Sequence, residues 1–161
     1  MFLFELAGEY AGTNHLILDP AEPPRVSDAN AAVILASCGK VVRLDYTWDD
    51  NGPQEGMLLI GAPDGREGVV AAWTDSWHMG KKLLICNGDV DARSIRLLGT
   101  FTSVGAGGPP GPDWGWRIVL EPVDDRSFTM RMFVIAPDAD GRVDGGGDLA
   151  VEVRFNPVNG S

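Results

Sequence analysis

Turn-forming residues punctuate this chain at short, regular intervals, and that spacing constrains the fold more than any other feature. Clusters rich in Gly, Pro, Asn and Asp fall at "DPAEPP" (19–24), "DDNGPQ" (49–54), "APDGREG" (62–68), "NGDVDARS" (87–94), "GAGGPPGPD" (105–113), "EPVDDRS" (121–127) and "PDADGRVDGGGD" (137–148). The runs between them are rich in Val, Ile, Leu, Thr and aromatic residues, and they alternate. In "KVVRLDYTWDD", Val42, Leu44, Tyr46 and Trp48 share one face and Arg43, Asp45 and Thr47 the other. Trp114, Trp116, Ile118 and Leu120 form a second such face. Phe128, Met130, Met132 and Val134 form a third, and Leu149, Val151, Val153 and Phe155 a fourth. Successive side chains of a strand point to opposite sides, so period two with one polar face marks a half-buried strand.

The pattern predicts ten strands, over 8–18, 27–37, 40–49, 54–62, 67–76, 81–88, 94–103, 113–121, 127–136 and 148–156. No segment has a sustained helical period. "FLFEL" at the start is expected to make one short helical turn whose Phe2, Leu3 and Leu6 plug an opening. Strands this short, joined in series, make an antiparallel meander, and closing it into a barrel removes the unpaired edges. The expected fold is therefore all-β: one antiparallel up-and-down barrel of about ten strands spanning 1–161, with a two-layer sandwich as the competing architecture.

Composition sets the outer bounds. The chain has 161 residues, 44% hydrophobic and 22% charged, with a formal net charge of −10. That fits one globular domain with a real core. The charge disfavours phosphate backbones and anionic lipid surfaces, so neither nucleic acid nor a membrane is an expected partner. No apolar run approaches the ~20 residues of a membrane-spanning helix. The N-terminus lacks the basic and cleavage regions of a secretory signal, so a cytoplasmic location is expected. The two cysteines, Cys38 and Cys86, are expected to be reduced, buried thiols.

The densest chemistry is "AAWTDSWHMGKKL" (71–83). Asp75, Ser76 and His78 are the residue types of a hydrolytic triad, but consecutive strand residues face opposite ways, and no G-x-S-x-G elbow occurs. Read as barrel wall, Trp73, Asp75 and Trp77 share a face if the strand persists. Two indoles flanking a carboxylate suit a mostly apolar pocket with one placed polar contact. The same residues also suit a packed core with a rim carboxylate bonded to a loop amide. If Tyr10 points inward, so do Asn14 and Leu16, and Asn14 would need a partner there. Tyr46, Trp48, Trp114, Trp116, Met130 and Met132 would complete an aromatic and adaptable lining around Trp73, Asp75, Trp77 and His78.

Metal binding has little basis. There are two histidines, His15 and His78, and "DADGRVDGGGD" places Arg142 and Leu149 where a calcium loop needs oxygen ligands. "GAGGPPG" loses two amide donors to Pro109 and Pro110, and so is no phosphate cradle. The sequon at Asn159 has no meaning without secretion.

"ELAGEYAGTNHL" resembles the L-x-G-x-W-x-G opening of lipocalin-like calycin barrels, with Tyr10 in the Trp position. "GKVVRLDYTW", "EGMLLIGA" and "AAWTDSWHMGKKLLICNGD" then follow in the order of a bacterial barrel family, domain of unknown function 1579. This resemblance runs from about Leu6 to Phe155. It implies a lipocalin-like barrel and carries no reaction. The nitrobindin-type haem barrels share a similar opening, but their haem ligand is a His on a late strand, and this chain has none after His78.

The leading expectation is a module that binds a small hydrophobic or aromatic molecule inside the barrel and needs no cofactor. A solidly filled interior would count against it. Three alternatives remain. One is an isomerase or hydrolase using Asp75 with His78 or Tyr46. Another is a haem protein. The last is a ligand-free oligomer such as a homodimer, seamed at Met57 and Leu59, which share parity with Glu55 on the side expected to face solvent.

Overall fold

The computed structural model describes residues 1–61, 68–91, 93–104, 110–143 and 146–158. Parts of the 62–68 and 105–113 turns, and the Asn159 sequon, lie outside these residues. Among the described residues, ten strands form one closed antiparallel barrel in which each strand pairs with its sequence neighbours and the first pairs with the last. The strands are β1 (Gly8–Leu16), β2 (Arg25–Ala36), β3 (Val41–Asp49), β4 (Pro53–Gly61), β5 (Val69–Asp75), β6 (Leu84–Val90), β7 (Ile95–Val104), β8 (Pro110–Pro122), β9 (Phe128–Ile135) and β10 (Asp148–Pro157). The up-and-down barrel read from the alternation is the architecture formed, and the sandwich is not.

The inward faces follow the sequence parity. Val42, Leu44, Tyr46 and Trp48 are buried on β3, and Phe128, Met130 and Met132 on β9. On β1, Tyr10, Asn14 and Leu16 are buried, while His15 is half-buried on the outer face opposite Glu152. β10 departs from the pattern. A register shift between Leu149 and Val151 sets Leu149 against Phe133 and Val151 against Met132. Ala150, not Leu149, packs against the core. A bulge of this kind inverts parity at one point, and nothing in a period-two pattern announces it.

The two ends of the barrel are closed differently. The chain enters through a 3-10 turn, Phe2–Glu5, at the end where the odd-numbered strands begin. Leu3 is fully buried, Leu6 is nearly so, and Tyr10 Oη donates to the Leu6 carbonyl at 2.7 Å. Phe2 is half-buried, so Leu3 and Leu6 form the centre of the expected plug. At the opposite end lie the β3–β4 turn and the β5–β6 connection, residues 76–83. In the β3–β4 turn Asn51 and Gly52 take positive φ, 56° and 123°, a conformation suited to Asn and Gly.

Two further expectations need correction or refinement. Cys38 is exposed, held at φ 58° in the short turn after β2, whereas Cys86 is buried. Burial raises the Cys86 thiol to a pKa of about 11. Asp138 Oδ1 accepts the amides of Asp140 and Arg142, which ties residues 138–142 into a turn. Among the described residues, no group of three or more His, Cys, Asp or Glu is placed to hold a metal ion, and no helix is long and apolar enough to cross a membrane.

Candidate functional site

Asn14, Asp50 and Asp75, three of the buried polar residues, lie toward the end closed by the β5–β6 connection. The site begins with a rung of the sheet. Tyr46 on β3 is opposite Gly56 on β4, and Gly56 is opposite Asp75 on β5. A Cβ at position 56 would fall inside the van der Waals surface of the Tyr46 ring. Glycine therefore lets the phenol lie across β4. Trp73 Nε1 donates to Tyr46 Oη at 2.7 Å. Burial, and then the nearby Asp75 charge, push the Tyr46 pKa well above its ordinary value, outweighing the indole hydrogen bond. Tyr46 is thus a neutral phenol at any ordinary pH.

β5 ends at Asp75, and the chain turns at once. The Asp75 carboxylate organises that turn. Its Oδ1 accepts the backbone amides of His78 at 2.5 Å and Met79 at 3.0 Å, much as a capping carboxylate does at a helix start. Its Oδ2 lies 2.6 Å from His78 Nδ1. The turn carries the imidazole back over the barrel mouth, where its ring centroid lies 4.6 Å from that of Trp116 and 4.5 Å from that of Trp77. Trp73 and Trp116 are stacked 5.3 Å apart at 10°. Asp75 is 3% exposed and its histidine partner only 15% exposed at the side chain, so the pair is walled by indoles.

Ser76 leaves this group altogether. Its hydroxyl donates to Gln54 Oε1 at 2.7 Å and accepts the Glu55 amide at 3.0 Å, on the outer side of β4. The parity argument against a Ser–His–Asp relay is realised in the structure.

The expected lining residues divide into three sets. Asn14, Tyr46, Trp48, Asp75, His78, Met130 and Met132 surround one interior cavity. Trp73 and Trp116 are buried beside it, in contact with His78. Tyr10, Trp77 and Trp114 lie apart. Tyr10 is committed to the plug turn and packs edge-on against Phe128. Trp77 does not continue the Trp73–Asp75 face, because the strand stops before it. It is 38% exposed and donates its indole N–H to Asp50 Oδ2 at 3.0 Å. Trp114 is only half-buried, near the end of the β7–β8 ladder opposite Phe101.

The cavity itself is small, about 10 Å³, roughly the space of one water. Side chains otherwise fill the interior. A larger concavity, about 760 Å³, lies over the first five strands and is lined by outward-facing Glu9, Asp45, Glu55 and Thr74, among others. It is open and acidic, and Tyr46 and Asp75 border it as well, whereas His78 borders only the interior cavity.

Sequence reasoning missed one participant, Asp50. Its carboxylate accepts from Trp77 and from Arg25 Nη1 at 2.9 Å, tying the β5–β6 connection to the β3–β4 turn. The hydrogen bond from Arg25, joined by that from Trp77, holds the Asp50 carboxyl below the usual carboxylate range. "DDNG" read as a turn; nothing local distinguished Asp50 as the acceptor for residues 25 positions before and 27 after it.

Three hydrogen-bonding positions here have no protein partner among the described residues. Trp116 Nε1 is buried and unpaired. The Asn14 amide, in a residue 3% exposed, forms no side-chain hydrogen bond. His78 Nε2 forms none either, its other ring nitrogen being taken by Asp75. Buried polar groups are normally paired, and Trp116 Nε1 is one of two buried side-chain atoms without a partner among the described residues, the other being Arg131 Nε.

No match is found among curated proteins. A family model does match, over residues 1–142, most of the chain, and its description is "protein of unknown function (DUF1579)". That match takes in the first nine strands of the barrel, and the chain belongs to the DUF1579 family.

Proposed function

We propose that the protein is a lipocalin-like binding module that takes a small aromatic molecule into the His78 end of its barrel. The observation that carries this reading is the set of positions without a hydrogen-bond partner at that end: the buried Trp116 Nε1, the Asn14 amide and His78 Nε2, beside a cavity walled by aromatic residues and methionines. Sites for small molecules are mostly apolar with a few convergent polar groups, and this end has that composition.

The filled interior sets a condition. A cavity of about 10 Å³ admits water and nothing aromatic, so binding requires the wall to move. The β5–β6 connection supplies the movable part, since Trp77 is partly exposed and is tied down by one hydrogen bond to Asp50 and an edge-on contact with His78. Met130 and Met132 line the floor, and unbranched thioethers repack readily. Binding thus follows opening, and association is slow.

Tryptophan fluorescence during titration with small neutral aromatic compounds tests the reading. Saturable one-to-one quenching is expected. Trp77→Gly should speed association, because it removes the lid side chain and leaves the polar set intact. Absence of saturable binding in both wild type and Trp77→Gly would refute the proposal.

The enzyme reading is favoured by one specific feature. A carboxylate at Nδ1 leaves Nε2 of a neutral imidazole free to take a proton, the arrangement of a general base.

A further inference from the structure

The unpaired groups also specify what the ligand must present. We infer that the site takes a small aromatic hydroxyl compound and that His78 Nε2 accepts its hydroxyl proton; the inference rests on the binding reading above.

The argument starts from the sign of each vacant hydrogen-bonding position. Asp75 Oδ2, 2.6 Å from Nδ1, fixes the proton of a neutral His78 on that nitrogen, so Nε2 presents a lone pair. Trp116 Nε1 is a donor only and is buried without an acceptor. The two rings are in contact, with centroids 4.6 Å apart, and the inferred ligand group sits between them. A carbonyl would satisfy the indole and leave the imidazole vacant. An ammonium would satisfy the imidazole and leave the indole vacant. A hydroxyl donates and accepts, and meets both. Asn14, on the same cavity as His78, can donate to or accept from it as needed.

Charge narrows the class further. The site already holds the Asp75 carboxylate, and the chain carries −10, so a ligand that arrives as an anion is disfavoured. A neutral phenol is not. Once bound, its O–H bond breaks and the proton passes to His78 Nε2. The electron pair stays on the phenolate oxygen, which accepts the Trp116 N–H. The imidazolium lies between two negative groups, Asp75 on one side and the phenolate on the other. Neither an oxidant nor a metal is needed. The indole walls supply the surface on which an aromatic ring packs.

The test uses 4-nitrophenol, whose absorption band reports its protonation state, and nitrobenzene, the same ring without the hydroxyl. Equilibrium dialysis measures occupancy. Absorption is read in buffer slightly on the acid side of the free phenol's own pKa. The expected result is 4-nitrophenol bound at least on the order of tenfold tighter than nitrobenzene, with the bound probe showing the phenolate band. His78→Gln should bind the probe in its protonated form. The wild-type arms decide the matter even if that variant misfolds. Nitrobenzene bound as well as 4-nitrophenol, or 4-nitrophenol bound without the phenolate band, would overturn the inference while leaving the binding module standing. Binding of neither compound, in wild type or in Trp77→Gly, would overturn the inference together with the reading beneath it.

Discussion

Tyr46 can reach its partners only because residue 56 has no side chain. Its hydroxyl accepts the Trp73 indole, and its ring stacks on Trp48 with centroids 5.6 Å apart at 19°. Gly56→Ala would force the phenol aside, since Tyr46 has a carboxylate neighbour on one side and a stacked indole on the other. Overpacking of this kind costs about 2 kcal/mol, and a displaced phenol also strands the Trp73 N–H. Chemical denaturation is expected to show that loss with little change in the denaturant slope. An unchanged midpoint would mean that Tyr46 has another low-energy rotamer inside the barrel. Most of these residues could be assigned to the interior by parity alone: Tyr46, Trp48, Trp73, Asp75, Met130 and Met132 all point inward, as the alternation requires. The requirement at Gly56 could not, because a glycine within "EGMLLIGA" gives no sign of which strand will lie across it.

The β5–β6 connection holds most of what the sequence left open. Strand signals stop being informative where a strand ends, and "AAWTDSWHMG" continues its alternation on paper past Asp75. The chain turns there because the Asp75 carboxylate captures the His78 and Met79 amides, and Gly80 follows at φ 58°. Trp77 consequently packs over His78, latched by Asp50. That latch has a defined pH dependence. The Asp50 pKa is lowered in the folded protein, so its contribution to stability is present above the unfolded carboxylate pKa. It is lost as pH falls through the lower folded value. Wild type is therefore expected to lose stability toward acid more steeply than Asp50→Asn across the window below the ordinary carboxylate range, with the difference between the two largest near neutrality. Thermal melts at a series of pH values measure this. Parallel pH profiles would show that the Arg25 and Trp77 contacts do not stabilise the charged form.

At the scale of the whole barrel, closure itself limits what can enter. Among the described residues every strand is paired on both sides, which leaves no open edge through which a large flat cofactor could slide. Access is confined to the ends. One end is filled by Leu3 and Leu6, and the other is covered by Trp77 and His78. The interior between them is closely packed, and His78 has the one imidazole that borders it, because His15 faces outward beside Glu152. Seating a porphyrin on His78 would require displacing Met130, Met132 and the indole wall together, far more than the lid movement a single aromatic ring needs. Titration with hemin is accordingly expected to give weak, non-stoichiometric binding, without the Soret shift of a histidine-ligated haem. A sharp one-to-one shift, abolished in His78→Ala, would show that this end of the barrel opens much farther than side-chain repacking allows. It would also make the Asp75–His78 pair an iron-ligand assembly, with the carboxylate orienting the ligating imidazole rather than supporting a proton acceptor.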